Sequence, residues 1–368
     1  MSKIDNLIKE MCPNGVKYKS IKEVCRLHYG KGNTIPKDGG DYDVYGCNGI
    51  VGTTNKYNNE NAPIVGHIGS AGVVTWGKGK NFVTYNGTIC TPNLKVINSR
   101  YLYHNLINLH LEKYVKGNQP FLSSSDFENI KIPVFPIKVQ EEIVRILDKF
   151  SELEEELEEE LEIREKQYKF FQKKLLKTNS QILYKKYNIC EITEKIFAGG
   201  DVPKDTIKGI DKPEGEYIYP VISNGIGQNA IYGYSKNYKV KGNTVTISAR
   251  GTVGYHTVRF EKYTPIIRLI TIIPNEKIVL AKYLNYVLYT TQIEITNGGI
   301  QQITIPMIKK INLDIPPLEE QQRIVNILDK FDKLINDISE GIPAEIELRR
   351  KQYEYYRNKL LNFKEVIA

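Results

Sequence analysis

The chain has 368 residues, 41% hydrophobic and 26% charged, with a formal net charge of +8. That length suits two domains with proper cores, and the balance excludes a disordered or low-complexity chain. No run of about 18 apolar residues occurs, which excludes a membrane-spanning helix; the positive surplus suits either a polyanion partner or a merely soluble basic protein.

The first twenty residues, MSKIDNLIKEMCPNGVKYKS, lack the continuous apolar core of a secretory signal, so a cytoplasmic protein is expected. Cys12, Cys25, Cys47, Cys90 and Cys190 are odd in number and never form C-x-x-C, which predicts neither a disulfide frame nor a zinc site. From Asn61 to Cys90 the sequence NAPIVGHIGSAGVVTWGKGKNFVTYNGTIC reads as strands joined by glycine turns. Within it, GVVTWGKG (Gly72 to Gly79) comes within one letter of the phosphate-binding loop G-x-x-x-x-G-K-[ST]. Gly79 stands where a magnesium-holding hydroxyl is needed and valines crowd the loop, so these glycines are read as turn formers. A helix is predicted from Arg100 to Val115. Pro133 and Pro136 then punctuate a last strand and the start of a long helix.

The second half repeats this grammar. QEEIVRILDKF at 140–150 returns as QQRIVNILDKF at 321–331, identical at eight of eleven positions, and KQYKFFQKKLL at 166–176 returns as KQYEYYRNKLL at 351–361. Before the second copy come a strand-and-glycine stretch, GNTVTISARGTVGYHTVRFEKYTPIIRLITII, a predicted helix from Lys277 to Ile293, and the prolines Pro316 and Pro317. The chain is an internal duplication of a mixed α and β unit closed by a long helix.

Steps of four and three through the first helix meet Ile143, Leu147, Phe150, Leu157, Leu161, Tyr168 and Phe171, the seam of a coiled coil. The second copy offers Ile324, Leu328, Phe331, Ile335, Ile338, Tyr353 and Tyr356, with a four-residue stutter beside Gly341 and Pro343, which weaken or kink the helix. Two such seams in one chain predict that the helices pair with each other, antiparallel as duplicated units require; parallel pairing between two chains is the alternative. Residues 151–165 hold nine glutamates and one arginine, most of them off the seam and solvated, and the rest of the chain therefore carries +16.

The histidines His28, His67, His104, His110 and His256 have no metal-ligand spacing, and no H-E-x-x-H, G-x-S-x-G or deaminase signature occurs. Nor is there an Asn or Asp followed by Pro-Pro-Tyr, with which an amino-methylating enzyme grips its base. The expectation is a non-catalytic chain with no metal. Side chains suited to base edges and phosphates cluster near the glycine turns: Lys31, Asn33, Asn48, Lys56, Ser70, Trp76, Lys78, Lys80 and Asn118 in the first unit, and Asn224, Gln228, Lys236, Arg250, His256, Gln301 and Gln302 in the second.

The opening CPNGVKYKSIKEV, the transitions IPVFPIKVQEEIVRILDKF and IPPLEEQQRIVNILDKF, and the ending GIPAEIELRRKQYEYYRNKLL together resemble the specificity subunits of type I restriction-modification systems over nearly the whole chain. The resemblance implies an α+β protein: two mixed α/β target-recognition domains (1–137 and 179–316) separated by two long antiparallel coiled-coil helices (138–178 and 317–364), an internal pseudo-two-fold duplication. It implies double-stranded DNA as partner, each domain reading one half of a bipartite asymmetric target. Two methyltransferase subunits would dock on the helices, and restriction/translocase subunits would join the full complex. S-adenosylmethionine, ATP and Mg would belong to those subunits and none to this chain. The first helix departs from the pattern by carrying EEELEEELEI in place of GIPAEIE and is four residues shorter, about 6 Å of helical rise, which bears on target spacing or on the seating of one methyltransferase. The competing reading is a coiled-coil structural or interaction protein without DNA specificity.

Overall fold

The computed structural model describes residues 3–32, 34–36, 39–178, 181–296, 301–337 and 340–363. It forms two compact units, Met1–Glu159 with Ala344–Ala368, and Glu160–Pro343. Asn33 and Ile338 lie outside the described residues.

In the first unit the order is α1 (Lys3–Met11), β1 (Lys17–Ser20), α2 (Ile21–Val24), β2 (Cys25–Tyr29), β3 (Tyr42–Gly46), β4 (Gly49–Thr54), β5 (Asn59–Gly66), β6 (Val74–Val83), β7 (Gly87–Pro92), α3 (Ser99–Asn108), α4 (Ser124–Phe127) and β8 (Lys131–Val134), followed by the long helix α5 (Ile137–Leu175). Six strands form one sheet in the order β2-β7-β5-β6-β3-β4, and β1 pairs with β8. All pairs are antiparallel except β3 with β6. Gly72–Gly79, the stretch that resembles a phosphate loop, runs into the extended strand β6, a conformation that cannot wrap a phosphate.

The second unit contains β9 (Lys185–Asn188), β10 (Thr193–Ala198), β11 (Ile207–Lys208), β12 (Tyr219–Ile222), β13 (Ile231–Ser235), β14 (Thr244–Ser248), β15 (His256–Arg259), β16 (Thr264–Pro265), β17 (Leu269–Pro274), α6 (Ala281–Thr290), α7 (Ile305–Lys309), β18 (Asn312–Ile315) and α8 (Leu318–Asn336). Its sheets run β10-β17-β14-β15 and β11-β13-β12-β16, with β18 on β9. Apart from the short strand β11, added at the edge on β13, this is the order of the first unit. A second difference is that residues 260–263 break the equivalent of β6 into β15 and β16, and β16 takes β12 in parallel as the end of β6 takes β3. All five residues of β14 are buried, the mark of a central strand covered on both faces.

Local chemistry is duplicated as faithfully as topology. Ser20 and Glu23 form a capping box after β1, and Asn188 and Glu191 form one after β9. Gln140 on α5 accepts a bond from the Asn98 amide (2.7 Å) and donates to the carbonyls of Val96 (3.0 Å) and Phe135 (2.7 Å). Gln321 on α8 does the same with Leu280 N–H (2.9 Å), Ile278 (2.8 Å) and Pro316 (2.9 Å). Each buried glutamine thus ties the start of the domain helix to the long helix that follows.

The long helices serve two masters. Ile143 and Leu147 are buried in the core of the first unit with Val65, Tyr101 and Phe127, and Ile324 and Leu328 in that of the second with Val245, Ile272 and Leu284. Beyond these positions helix meets helix. In the first unit Phe150 stacks on Tyr356 (5.1 Å) and Arg350 bonds Glu154 (2.5 Å) and Glu158 (2.7 Å). Because 150 meets 356 while 154 meets 350, that pairing is antiparallel. In the second unit Phe331 stacks on Phe171 (5.4 Å) beside Tyr168 (6.4 Å). Leu157 and Leu161 are half-buried, Ile335 is buried, and Tyr353 bonds His104 (2.8 Å) in the first unit. The acidic run is therefore not wholly solvated, since Glu154 and Glu158 hold Arg350.

The second closing segment is interrupted. After α8 ends, α9 (Ile342–Leu361) begins with Pro343 in its first turn. A Cβ on Gly341 would lie 2.7 Å from the carbonyl oxygens of Asp337 and Lys333, so the turn that joins the helices closes only over glycine.

Candidate nucleic-acid interface

The structure builds the same loop twice. Between β5 and β6 runs Gly66-His-Ile-Gly-Ser-Ala-Gly72, and between β14 and β15 runs Ser248-Ala-Arg-Gly-Thr-Val-Gly254. In the first, Gly66 N–H donates to Val73 O (2.8 Å), Gly72 to Gly66 O (2.8 Å) and Val73 to Ser70 O (3.3 Å). In the second, Ser248 donates to Tyr255 O (2.8 Å), Gly254 to Ser248 O (3.0 Å) and Tyr255 to Thr252 O (3.0 Å). Gly69 (φ 82°) and Gly251 (φ 76°) make the equivalent left-handed turn. A later segment crosses each loop with one bond, Leu122 N–H to His67 O and Ile303 N–H to Ala249 O, both 3.0 Å.

On this common frame the side chains differ. The first loop presents Ile68 beside Phe121, both exposed, with Cys47 beneath Gly69. His67 is buried under Tyr29 (4.4 Å), Tyr85 (5.4 Å) and Phe121 (6.0 Å), its Nδ1 3.3 Å from Thr88 Oγ1. Burial holds His67 below its usual pKa and so neutral. At the same three places the second loop has Arg250, Gln302 and Asn224. Arg250 Nε donates to Gln302 Oε1 (3.0 Å), and Asn224 Nδ2 donates to the Arg250 carbonyl (2.6 Å).

The residues singled out by type are thus sorted by position. Ser70, Asn48 in the β3–β4 turn, Asn118 in the turn closed by Lys116 and Phe121, and Lys31, which follows Gly30, whose amide bonds the carbonyl of Gly87 opposite Gly66, lie about the loop end of the first sheet. Lys56, Lys78 and Lys80 do not. They stand at the opposite end of the β5–β6 ladder, where Lys80 faces Glu60 in register and lies over the Tyr57 ring at 4.8 Å. Trp76 is half-buried under Arg100 (4.6 Å) and against Tyr103 (5.7 Å). In the second unit Asn224, Arg250 and Gln302 converge, with exposed Gln228 and Gln301 adjoining them in sequence. Lys236 sits at the far end of β13 with its charge engaged by Glu216 (2.6 Å). His256 is only 4% exposed and bonded to Asn285 (2.9 Å), so it offers no edge to a ligand. Sequence reasoning missed Tyr29, Ile68, Tyr85 and Phe121. The available signal was the shared spacing of Gly69-Ser-x-Gly72 and Gly251-Thr-x-Gly254.

A second repeated surface lies on the helices. Ile163 and Phe170 on the second-unit half of α5 are 53% and 61% exposed; their counterparts on α9 in the first unit, Leu348 and Tyr355, are 53% and 60%. Seven residues apart, each pair shares one helix face. The flanking arginines also match: Arg164 bonds Glu160 (3.2 Å) and Gln167 (3.1 Å), and Arg349 bonds Glu345 (3.1 Å) and Gln352 (3.1 Å). Among the described residues no group of acidic, histidine and cysteine side chains could hold a metal, and no helix is long and apolar enough to cross a membrane.

The chain is similar to known proteins along nearly its whole length. The profile of the type I restriction modification DNA specificity domain matches residues 13–163 and 169–348. A type I specificity subunit of Mycoplasma pneumoniae is 32% identical over 93% of this chain and 96% of its own, and a type I restriction enzyme specificity subunit of Haemophilus influenzae is 34% identical over 95% and 96%. The crystal structure of a type I restriction-modification S subunit from M. genitalium superposes with a TM-score of 0.63 over 94% of this chain and 96% of that one, at 16% identity, and so shares the fold.

Proposed function

Since the chain belongs to the type I restriction-modification DNA specificity family, we propose that it is a non-catalytic DNA reader whose two recognition domains each read one half of a split, asymmetric sequence. On this reading the helices dock two methyltransferase subunits, restriction/translocase subunits complete the assembly, and S-adenosylmethionine, ATP and Mg are handled by those partners.

The observation that carries the reading is where the duplication is kept and where it is lost. Two identical partners need two like surfaces, and the pairs Ile163/Phe170 and Leu348/Tyr355 are alike in character and exposure. Two different half-sites need unlike readers on a like frame, and the two glycine loops share a backbone but carry Ile68 and Phe121 against Arg250 and Gln302. Phosphate contacts would supply affinity and these few side chains the specificity. Linking two weak readers raises the effective concentration of the second, so binding tightens only where both halves match.

Exchange of residues 1–137 for another recognition domain tests this. Methylation mapped across host DNA will change in one half of the motif and keep the other; a change in both halves, or in neither, refutes the modular reading.

A further inference from the structure

We propose that Arg250 reads a guanine in the half-site of the second domain, and that Gln302 is the residue that aims it. The inference rests on the DNA-reading role proposed above and assigns the base and the side chain.

Arg250 is exposed, and no carboxylate pairs with it among the described residues. Its guanidinium is nonetheless not free to turn. The Nε bond to Gln302 Oε1 (3.0 Å) restrains the plane of the group and leaves both terminal nitrogens, the two donors of the fork, without a partner among the described residues. The Gln302 backbone is itself anchored, its main-chain N–H donating to Thr296 Oγ1 (3.1 Å) and its main-chain carbonyl accepting from Thr296 N–H (3.1 Å). The backbone under the arginine is held as firmly: Asn224 binds the Arg250 carbonyl, and Thr252 Oγ1 donates to Asn224 O.

A fixed two-donor fork matches one base edge in the major groove. Guanine presents two acceptors, O6 and N7; adenine pairs one acceptor with a donor, cytosine offers a donor, and thymine a single acceptor beside a methyl group. A phosphate contact would need no such aim, since a flexible cation serves there. The equivalent side chain in the first domain, Ile68, donates nothing, so the two half-sites differ at the corresponding base.

The test uses the full chain in complex with its methyltransferase. Selection from randomised duplexes first defines the wild-type motif, then those of Arg250→Ala, Arg250→Lys and Gln302→Ala. The expected result is that preference for one guanine in the second half-site falls by roughly 5- to 150-fold in Arg250→Ala. Arg250→Lys, which keeps charge but not the fork, relaxes the same position, Gln302→Ala relaxes it less, and the first half-site is unchanged in all. Replacing that guanine with 7-deazaguanine, which lacks the N7 acceptor, weakens wild-type binding but not that of Arg250→Ala. An unchanged motif in Arg250→Ala, with binding weakened equally on all sequences and a shallower salt dependence, makes Arg250 a phosphate contact and overturns the proposal while leaving the DNA-reading role intact. A wild-type complex that selects no split motif refutes that role itself, and the proposal with it.

Discussion

Replacing Gln140 by Met tests whether the glutamine is the joint between recognition domain and long helix. Methionine fills the same volume, so the packing term is small and the loss is that of hydrogen bonds. Three backbone groups lose their partner: the Asn98 amide and the carbonyls of Val96 and Phe135. The Phe135 bond is buried and the other two partly so. Leaving a buried polar group unpaired costs about 1–3 kcal/mol; one full cost and two smaller ones give about 3–4 kcal/mol. For a unit of this size each kcal/mol lowers Tm by about 2–4 °C, so a fall of about 10 °C is expected, with loss of hydrogen-exchange protection at the Asn98 amide. Gln321→Met should do the same in the second unit, exposing the Leu280 amide. A melt within about 1 °C of wild type, or retained protection at Asn98, refutes the reasoning.

Three further outcomes follow from other sites. If the helices dock two methyltransferase subunits as proposed, Phe170→Ala and Tyr355→Ala will each remove one of them, read as a shift from two to one in native mass spectrometry; loss of both from a single substitution, or of neither, refutes equivalent docking faces. Gly251→Ala puts a Cβ 2.6 Å from Asn224 Nδ2 at a φ of 76°, a strain of about 1–3 kcal/mol, and in selection experiments will blur the second half-site while sparing the first. Acid will destabilise the protein well above the carboxylate range. Burial lowers the pKa values of His28, His67, His104 and His256, opposed at His104 by Asp148 and at His256 by Asn285. Each is neutral when folded and takes up a proton more readily when unfolded, so stability is complete above the unfolded value of about 6.5 and is lost as pH falls below it. Thermal melts should decline from pH 7.5 to 5.5; a flat or rising profile contradicts the assignment.

The duplication, the closing helices and the strand-rich bodies were legible because they leave period and spelling in the chain. The strand order was not. Units that share six-strand topology share almost no letters within it, and the equivalence of β5 and β14 emerges only from hydrogen-bond register. Periodicity also could not tell a helix seam from a domain core: Ile143 and Leu147 recur with the same spacing as Phe150, yet the former face the recognition domain's core and the latter faces Tyr356. At the candidate interface, choosing by residue type found Arg250, Gln302 and Asn224, whose polarity marks them. It passed over Ile68 and Phe121, because an apolar residue among strand residues reads as core. It also gathered Lys56, Lys78 and Lys80 with Ser70, although the ladder that runs from Val65–Val74 to Asn59–Asn81 sets them at opposite ends.

The identical LDKF motifs show why spelling persists in some places and drifts in others. Asp148 bonds Arg100 (2.6 Å) and His104 (2.7 Å); Asp329 bonds Lys282 and, at 2.7 Å, Tyr286. In each unit one carboxylate receives a cation and a second donor spaced four residues apart on the domain helix, one above the other on a single face. Many side chains can supply a positive charge and a hydrogen, so the donors differ between copies. Only a short carboxylate on the long helix can receive both, so the aspartate does not. At His104 the carboxylate's pull is outweighed by burial, and the ring stays neutral while Asp148, despite its own burial, is held low by His104 and Arg100. The same economy governs the two loops, where glycines that alone permit the turn recur and the side chains that meet DNA on the proposed reading are free to diverge. A chain built this way changes its target by changing what stands on the frame, without disturbing the frame.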